Sequence, residues 1–193
     1  FNLAGAETKI VVFANNTPDA LKNSLETLQK ELKETQILAL AGGFSAGDEP
    51  DGSGKFIANV LRENKIADSV MNLIKNRDGL VLGICNGFQA LIKLGLVPYG
   101  KVTEMTATSP TLTFNNISRH VSTVVDLRVA SNLSPWLSAC KVGEVYKVAV
   151  SHGEGKIVAP MAEREKMKAR QQASKDSAAK VVQGDLFGEA YVR

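Results

Sequence analysis

Cys85 stands in Gly83-Ile84-Cys85-Asn86-Gly87, with a glycine two residues away on each side. Before it runs Leu80-Val81-Leu82-Gly83-Ile84, with the length and β-branched content of a buried strand. After it, Gly87 to Leu94 reads as a helix with Ala90, Leu91 and Leu94 on one face and Gly95 as its stop. Strand, sharp turn and helix with a nucleophile at the apex is the build of a nucleophile elbow. The helix N-terminus favours a thiolate there. The bland alternative is a structural cysteine at a strand end, since free Cys is among the most buried residues.

A thiol nucleophile needs a base, and the base needs an orienting group. The chain has two histidines. His152 lies at the end of an apolar run, in Val150-Ser151-His152-Gly153-Glu154-Gly155. On an extended segment residues i and i+2 point the same way, so Glu154 is expected to hold the second ring nitrogen. His120 has no acidic neighbour close in sequence and is read as structural. Acyl transfer also needs donors aimed at the oxyanion. The N–H of Asn86 is one; the N–H of Gly43, in the Gly42-Gly43 turn after another strand, is the expected second.

The elements that must position these groups follow in chain order. Lys9–Phe13 is expected as a short buried strand, and Thr17-Pro18 opens a helix running from about Asp19 to Lys33. Gln36–Ala41 is the next buried strand, Phe44–Gly54 a loop, and Lys55–Glu63 and Ala67–Asn76 are helices. Alternating helices and near-continuous apolar strands predict an α/β fold, an open, mostly parallel sheet with helices on both faces. Past Tyr99-Gly100 the pattern changes to Leu112–Phe114, Val121–Val129 and Val145–Val150, expected as an antiparallel β extension. Ser134–Leu137 reads as a helical turn whose Trp136 packs on the core, and Met161–Gln172 as a solvated helix.

A chain of 193 residues that is 44% hydrophobic and 22% charged suits one globular domain rather than a disordered segment. A net charge of +3 does not argue for nucleic acid, and no apolar run reaches a membrane span. Two cysteines, Cys85 and Cys140, make no disulfide framework and suggest a reducing compartment, so a cytoplasmic location is expected. Phe1–Gly5 does not read as a signal peptide, and without an initiating Met the chain is expected to begin inside a longer protein. Asp51–Lys55 fails the phosphate-loop pattern at Glu49 and Phe56. Asp48, Glu49 and Asp51 read as a solvated acidic loop, and no metal-ligand spacing appears.

Together these pieces resemble class I glutamine amidotransferases, which carry G-x-C-x-G at the elbow and H-x-E downstream on a flavodoxin-like sheet. The closer resemblance is to the glutaminase domains of the large, fused phosphoribosylformylglycinamidine synthases. It rests on Gly42–Asp48, Gly83–Gln89, Ala130–Trp136 and Ser151–Gly155, in that order. It implies hydrolysis of L-glutamine through a Cys85 thioester, with His152 and Glu154 completing a triad and Gly43 and Asn86 holding the oxyanion. It implies that Gln89, Phe44 and Ser45 lie near the substrate. Ammonia would pass to a synthetase portion, in the same polypeptide or a partner subunit, where ATP and Mg act on formylglycinamide ribonucleotide in purine biosynthesis. No cofactor is implied for this chain. It is expected as a single amidotransferase domain over residues 1–193, a C-terminal fragment of a larger synthase. It departs from the family at both ends: it starts within the family's first helix, and Lys180–Arg193 matches loosely. The competing readings are a DJ-1/PfpI-like cysteine hydrolase or stress protein, and a non-catalytic module that docks on a synthetase.

Overall fold

A computed structural model describes residues 1–43 and 54–173. Helix α1 (Pro18–Glu34) begins where the Thr17 hydroxyl accepts the Ala20 N–H at 3.1 Å, with Pro18 in the first turn. Its far end is closed by Arg77, whose guanidinium donates to the carbonyls of Leu32 and Thr35. Strand β1 (Ile37–Leu40) follows, and its apolar residues are answered across the ladder by β2 (Leu80–Gly83). Between them in sequence lie α2 (Lys55–Arg62) and α3 (Asn64–Lys75).

β1 and β2 run parallel, with Ile37 beside Leu80 and Leu40 beside Gly83. Both strands therefore end at one edge of the sheet. In open α/β sheets ligands gather at the carboxyl ends of the strands. Helix α4 (Asn86–Lys93) leaves β2 at that edge and packs on both strands, and α5 (Leu96–Tyr99) follows it. The core lies among these helices and strands. Leu61 of α2, Val70 and Leu73 of α3, Val81 of β2 and Leu91 of α4 are each 2% exposed or less.

The second half is built of antiparallel ribbons. β3 (Thr111–Thr113) pairs with β6 (Lys156–Val158), and β4 (Val121–Arg128) pairs with β5 (Val145–His152). Helix α6 (Met161–Ala173) follows. The parallel pair covered by helices and the antiparallel extension bear out the expected α/β class. Among the described residues the parallel ladder has two strands.

Two expectations are corrected. Lys9–Phe13 is not a strand, and Ile10 and Val12 are 86% and 79% exposed. A strand needs a ladder partner, and this segment is instead tied to the helices. Lys9 pairs with Glu31, Ala14 N–H donates to the Ser24 hydroxyl at 3.0 Å, and Phe13 meets Phe56 edge-on. Trp136, in the 3-10 turn Pro135–Leu137, packs edge-on against Phe1 at 6.3 Å rather than joining the core. The loop expected over Phe44–Gly54, with its acidic residues, lies outside the described residues apart from Gly54, as does the segment from Ser174.

Candidate active site

Cys85 occupies the turn between β2 and α4 with φ 52° and ψ −109°, a conformation that L-residues adopt only under strain. Such strain persists where the surroundings over-determine it, and it gathers at functional sites. Here the ladder extends through Ile84 N–H to Leu40 O at 3.0 Å, so the strand is held up to the turn. Gly87 N–H to Ile84 O at 2.9 Å and Gln89 N–H to Cys85 O at 3.0 Å then start the helix at once. With no residue to spare between the two, the backbone reverses at Cys85, and its side chain stands exposed.

The glycines beside Cys85 have a packing reason. A Cβ on Gly87 would overlap the Leu40 carbonyl oxygen of β1. One on Gly83 would come within 2.7 Å of Gly87 O and the Leu91 side chain. Helix and strands approach too closely for any side chain. Gly42 continues β1 toward the same point, and its missing Cβ would lie 3.1 Å from that of Cys85. Gly43 follows with φ 111°. The turn that carries Gly43 therefore adjoins Cys85. Asn86 is the first residue of α4 and buried, at the helix end where first-turn N–H groups point outward.

His152 is the last residue of β5, paired with Val121 of β4, and is half-buried. Glu154 is in the bend between β5 and β6, so the alternation of an extended strand does not set its direction. One of its partners is Gln89, one helical turn beyond Cys85. The Gln89 Nε2 donates to the Glu154 carbonyl at 3.2 Å and to its carboxylate at 3.3 Å. The helix that starts at the cysteine thus grips the bend that carries Glu154, directly after His152. Phe44 and Ser45 lie outside the described residues.

One residue was not singled out from sequence. His152 Nδ1 lies 3.0 Å from Oδ1 of Asn115, in the turn after β3. No motif marks Asn115, and only the β3–β6 pairing reveals that it lies beside a segment nearly forty positions later. His120 is exposed, with Nε2 2.9 Å from the Ser151 hydroxyl, in keeping with a structural role. Among the described residues no group of three or more His, Cys, Asp or Glu is placed to hold a metal ion. None of their helices is long and apolar enough to cross a membrane.

A family described as the CobB/CobQ-like glutamine amidotransferase domain matches residues 1–180. The chain belongs to that family. The resemblance read from four short segments is therefore borne out over most of its length.

Among relatives of this amidotransferase domain is the phosphoribosylformylglycinamidine synthase subunit PurQ of Dehalococcoides mccartyi. It is 36% identical over 82% of this chain and 55% of its own length. The same subunit of Methanococcus maripaludis strain S2 is 32% identical over 81% of this chain and 52% of its own. A solved structure of PurLQS from Thermotoga maritima superposes with a TM-score of 0.52 at 31% identity. It covers 66% of this chain and 52% of that one. The chain spans about half the length of the curated relatives it matches.

Proposed function

We propose that this chain is the glutaminase part of a phosphoribosylformylglycinamidine synthase. It hydrolyses L-glutamine to glutamate and ammonia and supplies the ammonia to a synthetase portion, in the same polypeptide or a partner subunit. That portion would bind ATP and Mg and amidate formylglycinamide ribonucleotide in purine biosynthesis. The reading is supported by family membership and by the PurQ relatives. The observation that carries it is the Gln89–Glu154 tie, which links the strained Cys85 elbow to the His152 segment.

In this mechanism the Cys85 sulfur attacks the side-chain carbonyl carbon of glutamine. The oxyanion that forms is held by the N–H groups of Gly43 and Asn86, preorganised by the ends of β1 and β2. His152 passes the thiol proton to the amide nitrogen, and ammonia leaves as the carbon–nitrogen bond breaks. Glu154 completes the triad. A glutamyl thioester remains on Cys85. His152 then takes a proton from water, the hydroxide oxygen attacks the thioester carbon, and the carbon–sulfur bond breaks to release glutamate. Gln89, Phe44 and Ser45 lie near the substrate in this reading.

Family membership favours this reading over a DJ-1/PfpI-like hydrolase. The test is ammonia release from glutamine by the full chain, with its synthetase partner present, beside Cys85→Ala. Loss of at least about a hundredfold in kcat is expected on removing the nucleophile. Equal rates would leave a non-catalytic docking module.

A further inference from the structure

We infer that Asn115 is a positioning residue: it holds the bend after β5 so that the backbone carbonyl of Glu154 sets the Gln89 carboxamide with Oε1 toward the substrate. This rests on the proposed glutaminase reading, in which Gln89 lies near the substrate, and it asks nothing of the His152 ring.

Asn115, in the turn after β3, is stitched to the bend on both sides of Glu154. Its backbone N–H donates to Gly153 O at 3.0 Å. Its Nδ2 donates to the carbonyls of His152 at 2.9 Å and Arg119 at 3.0 Å. Its Oδ1 accepts the Gly155 N–H at 3.2 Å. Positions 152, 153 and 155 are thus tied to one residue, and Glu154 is the position between them. The bend also closes tightly, since a Cβ on Gly155 would come within 2.3 Å of the His152 ring. A carbonyl with ties on both sides has little freedom to turn.

What that carbonyl holds is Gln89. The Gln89 Nε2 donates to Glu154 O at 3.2 Å and to the Glu154 carboxylate at 3.3 Å. A carbonyl and a carboxylate only accept. Both demand the NH2 end of the amide, so Oε1 is turned away from the bend. Gln89 is 8% exposed, and among the described residues its Oε1 has no hydrogen-bond partner. Polar groups on buried side chains are rarely left unpaired. The open end is therefore an acceptor one helical turn past Cys85, waiting for an N–H donor, and glutamine carries such donors. An amide free to flip would offer that donor an NH2 group instead. The bend removes this choice, and Asn115 fixes the bend.

The test is a double-mutant cycle on the full chain with its synthetase partner present. Asn115→Ala should raise the KM for glutamine about tenfold, with kcat within about threefold. In a Gln89→Met background, which has no amide to orient, the same change should raise KM less than about twofold. A role in folding alone would lower the active fraction in both backgrounds and leave KM in place. A readout apart from activity is the side-chain NH2 signal of Gln89 in the 15N-labelled full chain, assigned by its loss in Gln89→Met. It should exchange slowly with water in the wild type and quickly in Asn115→Ala. If Asn115→Ala does not fold, Asn115→Asp takes its place in the cycle. It keeps the acceptor for Gly155 and sets a carboxylate against the carbonyls of His152 and Arg119, so KM should again rise. A wild-type Gln89 NH2 that exchanges like a free carboxamide overturns the inference. A wild type without glutaminase activity sinks the proposed function and with it this role of Asn115. An active wild type in which the Asn115 change leaves KM unaltered, or raises it equally in both backgrounds, sinks only the role of Asn115.

Discussion

Gln89 and Glu154 are sixty-five positions apart in sequence and joined in space by two hydrogen bonds, at 3.2 and 3.3 Å from one amide nitrogen. Gln89 is buried in α4 and Glu154 is in the β5–β6 bend. The contact ties the helix that opens at Cys85 to the loop that follows His152.

That tie predicts how Gln89 variants fail. Gln89→Met keeps the volume and removes the donor. It should cost about 1 kcal/mol of stability, as expected for loss of a hydrogen bond to a half-buried group. If the tie positions His152, kcat falls while KM changes little. A dominant rise in KM would instead make Gln89 chiefly a substrate contact. Steady-state glutaminase kinetics and urea unfolding read both.

The elbow predicts a trade between stability and activity. Cys85 adopts φ 52° and ψ −109°, which glycine reaches without strain. Cys85→Gly should therefore unfold at higher urea concentration than Cys85→Ala, by about 1 kcal/mol or more, while both lack activity. Equal midpoints would mean that the turn carries no strain.

Gly87 is the tightest point of the elbow. Gly87→Ala drives a methyl into Leu40 O and should cost about 1–3 kcal/mol, as overpacking does. The same change at Gly43, where a Cβ would meet nothing within 4 Å among the described residues, carries the backbone penalty of its φ of 111°. Thermal melts of the two variants separate the effects.

Away from the site, the Tyr146 hydroxyl donates to the Glu144 carboxylate at 2.6 Å, and Lys141 N–H donates to the same oxygen. The bond to Glu144 first, then desolvation and Cys140, pushes the Tyr146 phenol up to about 12. The same bond, with that of Lys141, holds Glu144 below its ordinary value. The phenol is raised in the fold, so its contribution is present below about pH 10 and is lost between about pH 10 and 12. The carboxylate is lowered, so its contribution is present above its ordinary value and is lost as pH falls through the depressed one. Absorbance titration should show one late phenol, absent in Tyr146→Phe and shifted toward 10 in Glu144→Gln. A titration unchanged by Glu144→Gln contradicts the pairing.

What was legible in the sequence followed from local rules. Thr17-Pro18 marked the start of α1, the apolar runs marked β1 and β2, and Gly83 and Gly87 marked the elbow. What was not legible depended on contacts distant in sequence. Lys9–Phe13 has the composition of a strand, but composition does not supply a ladder partner. Glu154 follows His152 by two residues, but the chain bends between them, and alternation fails where a strand ends. Asn115 lies in no motif. Its contact with His152 follows from β3 pairing with β6, which one sequence does not reveal.

The most direct test of the central claim is covalent. The full chain is treated with a diazo-ketone analogue of glutamine, and the site of modification is read by peptide mass spectrometry. Cys85 should carry the adduct, with protection by excess glutamine and loss in Cys85→Ser, while Cys140 stays unmodified. An adduct on Cys140 alone, or none on Cys85 in a folded chain, would contradict the account.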